Sequence, residues 1–575
     1  MRSSFLSGLL PVAVLAWSSN DFARDTNVAQ AQKCRSYPGD ASWPTTAQWT
    51  AFNKTINGRL VATVPLAAPC HDDKWAKYNN ATCTSLQASW LEPQEHYDSS
   101  SSVMAPFFAN QSCDPFQPRS AQCVIGSYVQ YAVNVSCAQD VSAAIKFATK
   151  NNIRLVVRNT GHDYNGKSTG SGALGIWLHH LKDISFKDWS DSHYNGKAIK
   201  LGAGVQGFEA YNAADAIGLQ VVGGECPTVG IAGGYTQGGG HSALASKHGL
   251  AADQVLEWEV ITGTGDYLVA NRQQNSDLYW ALSGGGGGTY GVALSMTSKA
   301  HVDTPTSAMN LTFLSTNTTQ DKYYEAISTF HSSLPAIVDA GGMSVWYFTN
   351  QSFAISPITG PNITVSQLKV LLQPLISKLE ELDIAYTSYF GQFSGYLKEY
   401  HAMQGPIDVG IAQYGGRLIP RSVVQHNNSA LTEAYRFINN QGAQFIGVGI
   451  NTSFKTAGDV NNSVNPGWRT ALIDTVITTP WSFTAPWADM LANQKLMTNV
   501  LIPKLAELTP NGSCYLNEGD FNQPDFQDVF YGANYQRLLS IKNKYDPNHM
   551  FYAVTAVGSE YWVPQPNAGR LCKAT

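Results

Sequence analysis

The chain has 575 residues, 43% of them hydrophobic, enough for a large core and more than one domain. Charged residues make up only 14%, the net charge is −5, and no basic run interleaved with aromatics occurs, which excludes nucleic acid as a natural partner. Arg2 followed by the apolar run Phe5 to Trp17, broken by Ser7, reads as a secretion signal over residues 1–23, with cleavage between Ala16 and Cys34. That run is too short for a comfortable membrane span and no later stretch of about 18 apolar residues follows, so a secreted, extracellular chain with no membrane partner is expected.

Residues 24–123, rich in Pro, Cys, Trp and Asn, read as a disulfide-stapled, loop-heavy layer. From Val124 the texture changes. Ser136 and Gln139 form a capping-box pattern, and Val141, Ala144, Ile145 and Ala148 follow at helical spacing. Ile153 to Val157 reads as a strand, Phe208 to Ile217 as a helix stopped by Gly218, and Leu219 to Val222 as a strand. Val255 to Thr262 and Tyr267 to Ala270 read as strands joined by a turn. Residues 305–510 mix helical stretches (Ser366 to Leu382, Ala430 to Asn439) with strand-like ones (Ser344 to Phe348, Phe445 to Ile450), and are expected to form a separate domain. The segment 511–575 returns to the aromatic, Gly/Asn-rich texture of the first half. The fold class expected is α+β, in two domains.

Twelve Asn-x-Ser/Thr sequons (Asn53, Asn80, Asn110, Asn134, Asn310, Asn317, Asn350, Asn362, Asn427, Asn451, Asn461 and Asn511) agree with secretion and predict N-glycans on the surface. Of nine cysteines, eight lie towards the ends of the chain and Cys226 stands alone between Cys137 and Cys514. The expectation is that the eight pair and Cys226 is left over. The spacings allow Cys70–Cys83 and Cys113–Cys123; the other connections stay open.

Three glycine clusters carry the chemistry. The first runs Arg158-Asn159-Thr160-Gly161-His162-Asp163-Tyr164-Asn165-Gly166. The second spans Gly223-Gly224-Glu225-Cys226-Pro227-Thr228-Val229-Gly230 to Gly233-Gly234, continuing through Gly238, Gly239 and Gly240. The third runs Ser283 to Gly288 and ends at Gly291. Glycine lets a backbone turn with positive φ and approach a ligand closely, and successive N–H groups make anion nests. No strand–GxGxxG–helix context is present. Three such clusters point to a large phosphate-bearing cofactor cradled by loops. His179-His180 and the pair His241 and His248 lack the partners of a metal site, and neither HExxH nor CxxC occurs, so no metal is assigned. Gly-x-Ser-x-Gly in the strand–turn–helix setting of a nucleophile elbow is also missing, so hydrolase chemistry has no visible carrier.

The segments RNTGHDYNGKS, GGECPTVGIAGGYTQGGG and WALSGGGGGTYG, with the ending KYDPNHMFYAVTAVGSEYW, together resemble the berberine-bridge-enzyme-like branch of the vanillyl-alcohol-oxidase flavoproteins, in particular its fungal secreted, isoamyl-alcohol-oxidase-like members. The resemblance covers roughly residues 35–575 and is strongest across 124–300. It implies a two-domain PCMH-type FAD-binding fold: an FAD domain from 124–304 with the C-terminal segment, and a separate α/β substrate domain at 305–510 lying over the flavin. It implies FAD held bicovalently, His162 on the 8α-methyl and Cys226 on C6 of the isoalloxazine, with Tyr552 in the C-terminal flavin-contacting segment. The expected reaction moves a hydride from a hydroxyl-bearing carbon of an alcohol or carbohydrate to the flavin, with molecular oxygen then giving hydrogen peroxide. An oxidative tailoring enzyme of secondary metabolism is the alternative, and a flavin-binding protein without turnover the third.

For the base, the family's Tyr-x-Asn pattern matches Tyr515-Leu516-Asn517, and Tyr414-Gly415-Gly416-Arg417 resembles the substrate-domain strand facing the flavin, which offers Arg417. Phe445 to Gly449 lacks the Lys-x-Gln pair of plant members. In the family the residue three after the flavin cysteine governs oxygen access, and Val229 there favours oxidase behaviour. The chain is expected to act as a monomer.

Overall fold

A computed structural model describes residues 33–574 except 110, 111, 406, 567 and 568. The secretion-signal reading of 1–23 and the sequon at Asn110 lie outside the described residues.

Two sheets build the first domain. In one, the parallel strands Tyr131–Asn134, Leu174–Trp177 and Leu155–Arg158 lie side by side, with Leu60–Ala62 added antiparallel at the edge. In the other, five antiparallel strands run in the order Ile184–Ser190, Asn195–Gly202, Gly291–Lys299, Val255–Thr262, Tyr267–Asn271. The helix Ala138–Lys150 sits between them. Its apolar stripe of Val141, Ala144, Ile145 and Ala148 shares one core cluster with Leu155, Leu174 and Ile176 of the first sheet and Ile261 and Val292 of the second. The capping pattern differs from the expectation. Cys137 is the N-cap, and both the backbone N–H and the hydroxyl of Ser136 donate to Asp140, each at 2.9 Å, so Asp140 rather than Gln139 closes this end. Asp140 also places a negative charge in the first turn, where the helix dipole favours it.

The second domain is a seven-stranded antiparallel sheet in the order Tyr386–Phe393, Thr306–Leu314, Ser352–Pro361, Met343–Phe348, Gln444–Gly449, Ala471–Pro480, Ala412–Pro420. Helices Gln320–Asp339, Val365–Glu381 and Arg421–Asn440 cover one face. Side chains alternate across a strand, so each strand divides between two jobs. Trp346 and Phe445 point into the helix-covered core, while their neighbours Val345 and Ile446 line a cavity on the other face. At Gly447 the Trp346 indole lies against the next strand; a Cβ there would sit 2.5 Å from the ring.

The C-terminal segment closes the first domain. Phe551 forms a parallel bridge to Leu155, and Cys34 pairs with Cys572 across a sequence separation of 538. Cys70–Cys83 and Cys113–Cys123 are bridged. The expected pairing of all eight terminal cysteines does not hold: Cys137 is an exposed free thiol and Cys514 a buried one, alongside Cys226. Cys514 packs beneath the strand Ala412–Pro420, its Sγ 3.2 Å from where a Cβ on Gly416 would lie, and Cys137 caps a helix elsewhere. Among the described residues no helix is long and apolar enough to cross a membrane.

Candidate active site

One cavity of about 490 Å3 lies between the three glycine loops, the C-terminal segment and the open face of the seven-stranded sheet. The first loop starts where the strand Leu155–Arg158 ends. Arg158 turns inward and is 1% exposed; it donates to the carbonyls of His96 (2.8 Å) and Ser102. Its guanidinium lies directly behind Gly161, which has φ +88° and where a Cβ would come within 2.8 Å of Arg158 Cζ. The turn therefore presses on Arg158 and projects the next residue, His162, into the cavity. Only glycine meets both conditions at this position.

His162 Nε2 lies 2.8 Å from Thr228 Oγ1, and Cys226 Sγ lies 3.5 Å from the same hydroxyl. Burial, reinforced by His96 and the Arg158 guanidinium nearby, pulls the imidazole down to about 3, so it is neutral. Burial pushes the Cys226 thiol up. Around this pair the loops interlock. Gly230 and Gly233 pack on the Asn159 amide, where a Cβ would fall 2.6 and 2.9 Å from it. Gly287 of the third loop abuts Gly234 of the second, with 2.8 Å from its would-be Cβ to Gly234 Cα.

Asn159, Thr160, Gly161, His162 and Asp163 all line the cavity, as do Gly224, Cys226, Val229, Gly230, Gly233 and Gly234. Gly291, Tyr552, Tyr515 and Asn517 join them from the third loop and the C-terminal segment. Thr228 stands behind the surface and reaches it through the His162 bond. Gly223, pressed on the Tyr211 ring, and Pro227 and Gly239 lie outside the lining, and Arg158 works from beneath. Arg417 is not brought to the cavity. It is buried, donating to Thr509 Oγ1 (2.8 Å) and the Thr509 carbonyl (2.6 Å) on the opposite face of its strand from Tyr414, which does line the cavity.

The structure adds residues that sequence reasoning passed over. Tyr164 and Tyr414 stack at 3.8 Å between ring centroids and close one wall. Beside Tyr515 lies a charged cluster. His241 Nε2 is 3.0 Å from Glu518 Oε1, and its Nδ1 is 3.3 Å from Glu225 Oε2. Burial alone would lower the His241 pKa, but Glu225 and Glu518 outweigh it and hold the ring well above its ordinary value, as an imidazolium. Asp474, the lone carboxylate of the apolar strand Ala471–Pro480, is raised well above the carboxylate range by burial and by Glu518. Tyr515 is raised by burial and by Glu518, and accepts from Asn517 Nδ2 at 2.8 Å. Asp520, near Tyr515 in sequence, is held elsewhere by Gln494 (2.7 Å) and Thr498 (2.5 Å).

These features fit a large cofactor. Gly234 lines the cavity with nothing within 4 Å of where a Cβ would project, so any larger residue would occupy the cradle. The buried Asn159 Oδ1 and Gln237 Oε1, both on cavity-lining residues, have no hydrogen-bond partner among the described residues.

The comparisons agree with this geometry. Residues 129–271 match the family model described as FAD binding domain, and residues 514–558 the one described as berberine and berberine like. The chain is 50% identical over 547 residues to FAD-linked oxidoreductase ZEB1 of Gibberella zeae, covering 94% of this chain and 95% of the relative. It is 42% identical over 557 residues to the bifunctional decalin synthase calF of Penicillium decumbens, covering 95% and 96%. The crystal structure of the VAO-type flavoprotein MtVAO615 from Myceliophthora thermophila C1 superposes with a TM-score of 0.90 at 42% identity, covering 94% of this chain and 100% of that one. The chain therefore belongs to the berberine-bridge-enzyme-like branch of the vanillyl-alcohol-oxidase family and is an FAD-linked oxidoreductase with the PCMH-type fold.

Proposed function

We propose that this enzyme is a secreted oxidase that holds FAD through two covalent bonds, to His162 and Cys226, and oxidises the hydroxyl-bearing carbon of an alcohol at the expense of dioxygen. The observation that carries the double tether is the meeting of His162 and Cys226 on Thr228, within one cavity wall. The neutral imidazole keeps a lone pair for bonding to the 8α-carbon. FAD, when bound, supplies the hydride acceptor. The protein supplies position: Asn159 and the loop glycines set the cradle, and Tyr515 and Asn517 face the space beyond it. Val229 lines the cavity and is the residue offered for oxygen access.

The substrate side of the cavity favours an alcohol on an apolar skeleton over a sugar. Val345, Ile446, Val448 and Val476 line it from the sheet, with the Tyr164–Tyr414 stack beside them, whereas a carbohydrate site needs many convergent polar groups. The same wall favours, as a second reading, oxidative tailoring of a secondary metabolite, in keeping with the 42% identity to a decalin synthase. Secretion is supported by the sequons: among the described residues, none of the sequon asparagines is buried.

The test uses purified protein. Yellow colour retained after acid precipitation, bleaching by members of an alcohol and oligosaccharide panel without oxygen, and peroxide formation in air support the reading. Colour with no bleaching by any hydroxyl compound defeats the oxidase assignment.

A further inference from the structure

We propose that Glu518, clamped by the His241 imidazolium and backed by Asp474, is the group that takes the substrate's hydroxyl proton, and that Tyr515 is a hydrogen-bonding group. This rests on the oxidase reading above.

The titratable groups facing this part of the cavity are few, and most are disqualified. His241 has one carboxylate on each ring nitrogen, Glu518 at 3.0 Å and Glu225 at 3.3 Å, so both nitrogens carry protons and neither has a lone pair to offer. Tyr515 is buried, stands edge-on to His241 at 5.5 Å between centroids and to Trp468 at 5.4 Å, and is raised by burial and by Glu518, which keeps it a neutral phenol. Tyr164 and Tyr414 are raised too, Tyr414 to about 12. Tyr235 is spent on the His241 carbonyl at 2.6 Å. Two carboxylates remain, Glu225 and Glu518. Only Glu518 has a second carboxyl behind it: the donor atoms of His241, Asp474 and Glu518 all lie within 4.8 Å of one another.

Asp474 is 1% exposed, and among the described residues neither of its oxygens nor the outer oxygen of Glu518 has a hydrogen-bond donor in reach. Buried carboxyl oxygens without donors are costly, and one proton shared between the two carboxyls removes the cost. The proton shared with Asp474 leaves Glu518 room to accept one more, beside the His241 imidazolium. In the reaction the substrate O–H bond breaks and its proton goes to Glu518. The electron pair left on oxygen becomes the carbonyl bond as the C–H hydrogen leaves with its own pair to the cofactor. The proton held by Glu518 is given up when dioxygen becomes hydrogen peroxide, whose two hydrogens are the substrate's hydroxyl proton and its carbon-bound hydrogen.

The test uses the holoenzyme, with flavin content confirmed by absorbance. With an alcohol from the panel that bleaches the wild type, anaerobic reduction in Glu518→Gln is expected to slow at least 100-fold and to lose its rise with pH. Tyr515→Phe should slow it about tenfold with the rise kept, and Glu225→Gln should keep the rise as well. His241→Gln removes the cation beside Glu518 and should move the rise to higher pH. Equal rates in Glu518→Gln and wild type, or loss of the rise only in Tyr515→Phe, overturn the proposal while leaving the oxidase reading standing. Should no alcohol reduce the wild type, the midpoint potential measured with dithionite against pH still decides. One extra proton per two electrons steepens the slope by about 30 mV per pH unit in the wild type relative to Glu518→Gln. Identical slopes, or a stoichiometric metal in the purified protein, would sink it.

Discussion

His162 and Cys226 are 64 residues apart in the chain, yet both address the hydroxyl of Thr228, at 2.8 Å and 3.5 Å. The first comes from the turn after a parallel strand, the second from a loop whose glycines pack on Asn159. Two side chains converging on one edge of a cavity can fix a flat ring without roofing it over, which leaves the sheet side open to substrate. Cys226→Ser is therefore expected to keep flavin bound through His162 alone. Mass spectrometry of the digest should show a histidyl-flavin peptide and no cysteinyl link, and an unchanged flavin spectrum would contradict the role of Cys226.

Gly161→Ala tests the turn. A methyl group at a φ of +88°, 2.8 Å from the Arg158 guanidinium, strains the backbone and pushes on a buried cation. Flavin content after purification is expected to fall severalfold, with His162 displaced. Full flavin loading would show that the turn tolerates a side chain.

Glu399 offers a stability test away from the cavity. Its carboxyl is raised to about 8 by burial, against a single hydrogen bond from Thr359 at 2.9 Å. The unfolded chain gives up this proton near the ordinary glutamate value, whereas the folded protein keeps it until about pH 8. Stability thus falls as pH rises between those values, by up to about 1.4 kcal/mol per pH unit. Glu399→Gln keeps an acceptor for Thr359 and removes the slope. Its Tm should exceed that of the wild type at pH 8 and match it near pH 4.

The Cys34–Cys572 bridge ties the two ends of the described chain, beside a backbone bond from Arg35 N–H to the Leu571 carbonyl at 2.8 Å. Replacing Cys572 by Ser should lower unfolding stability by about 2–4 kcal/mol, read by denaturant titration. Flavin absorbance should be kept, because neither cysteine lines the cavity.

The fold and half of the site were legible in the sequence for identifiable reasons. Glycine at Gly161, Gly230 and Gly233 answers to close backbone approach, a local demand that leaves a local mark. The strand Val255–Thr262 and the helix Val365–Glu381 announce themselves by side-chain periodicity. Facing is different. Tyr414 and Arg417 sit three residues apart on one strand, so they point opposite ways, but which of them meets the cavity depends on the sheet's neighbours. Arg158 looked like a ligand contact because it opens the motif, whereas its buried guanidinium braces the turn. His241 seemed partnerless because Glu518 lies 277 residues away. Asp474 was passed over for the same reason, since His241 and Glu518, which meet it in space, come from distant segments. Cys137 and Cys514 were each expected to take part in a bridge, with partners that spacing does not encode, and both are free thiols.

The most direct test of the account is peptide mapping of the purified, acid-precipitated protein by mass spectrometry with flavin absorbance detection. The account predicts one yellow species in which a single FAD joins the peptide carrying His162 to the peptide carrying Cys226. Flavin released entirely into the acid supernatant, with both peptides recovered unmodified, would contradict it.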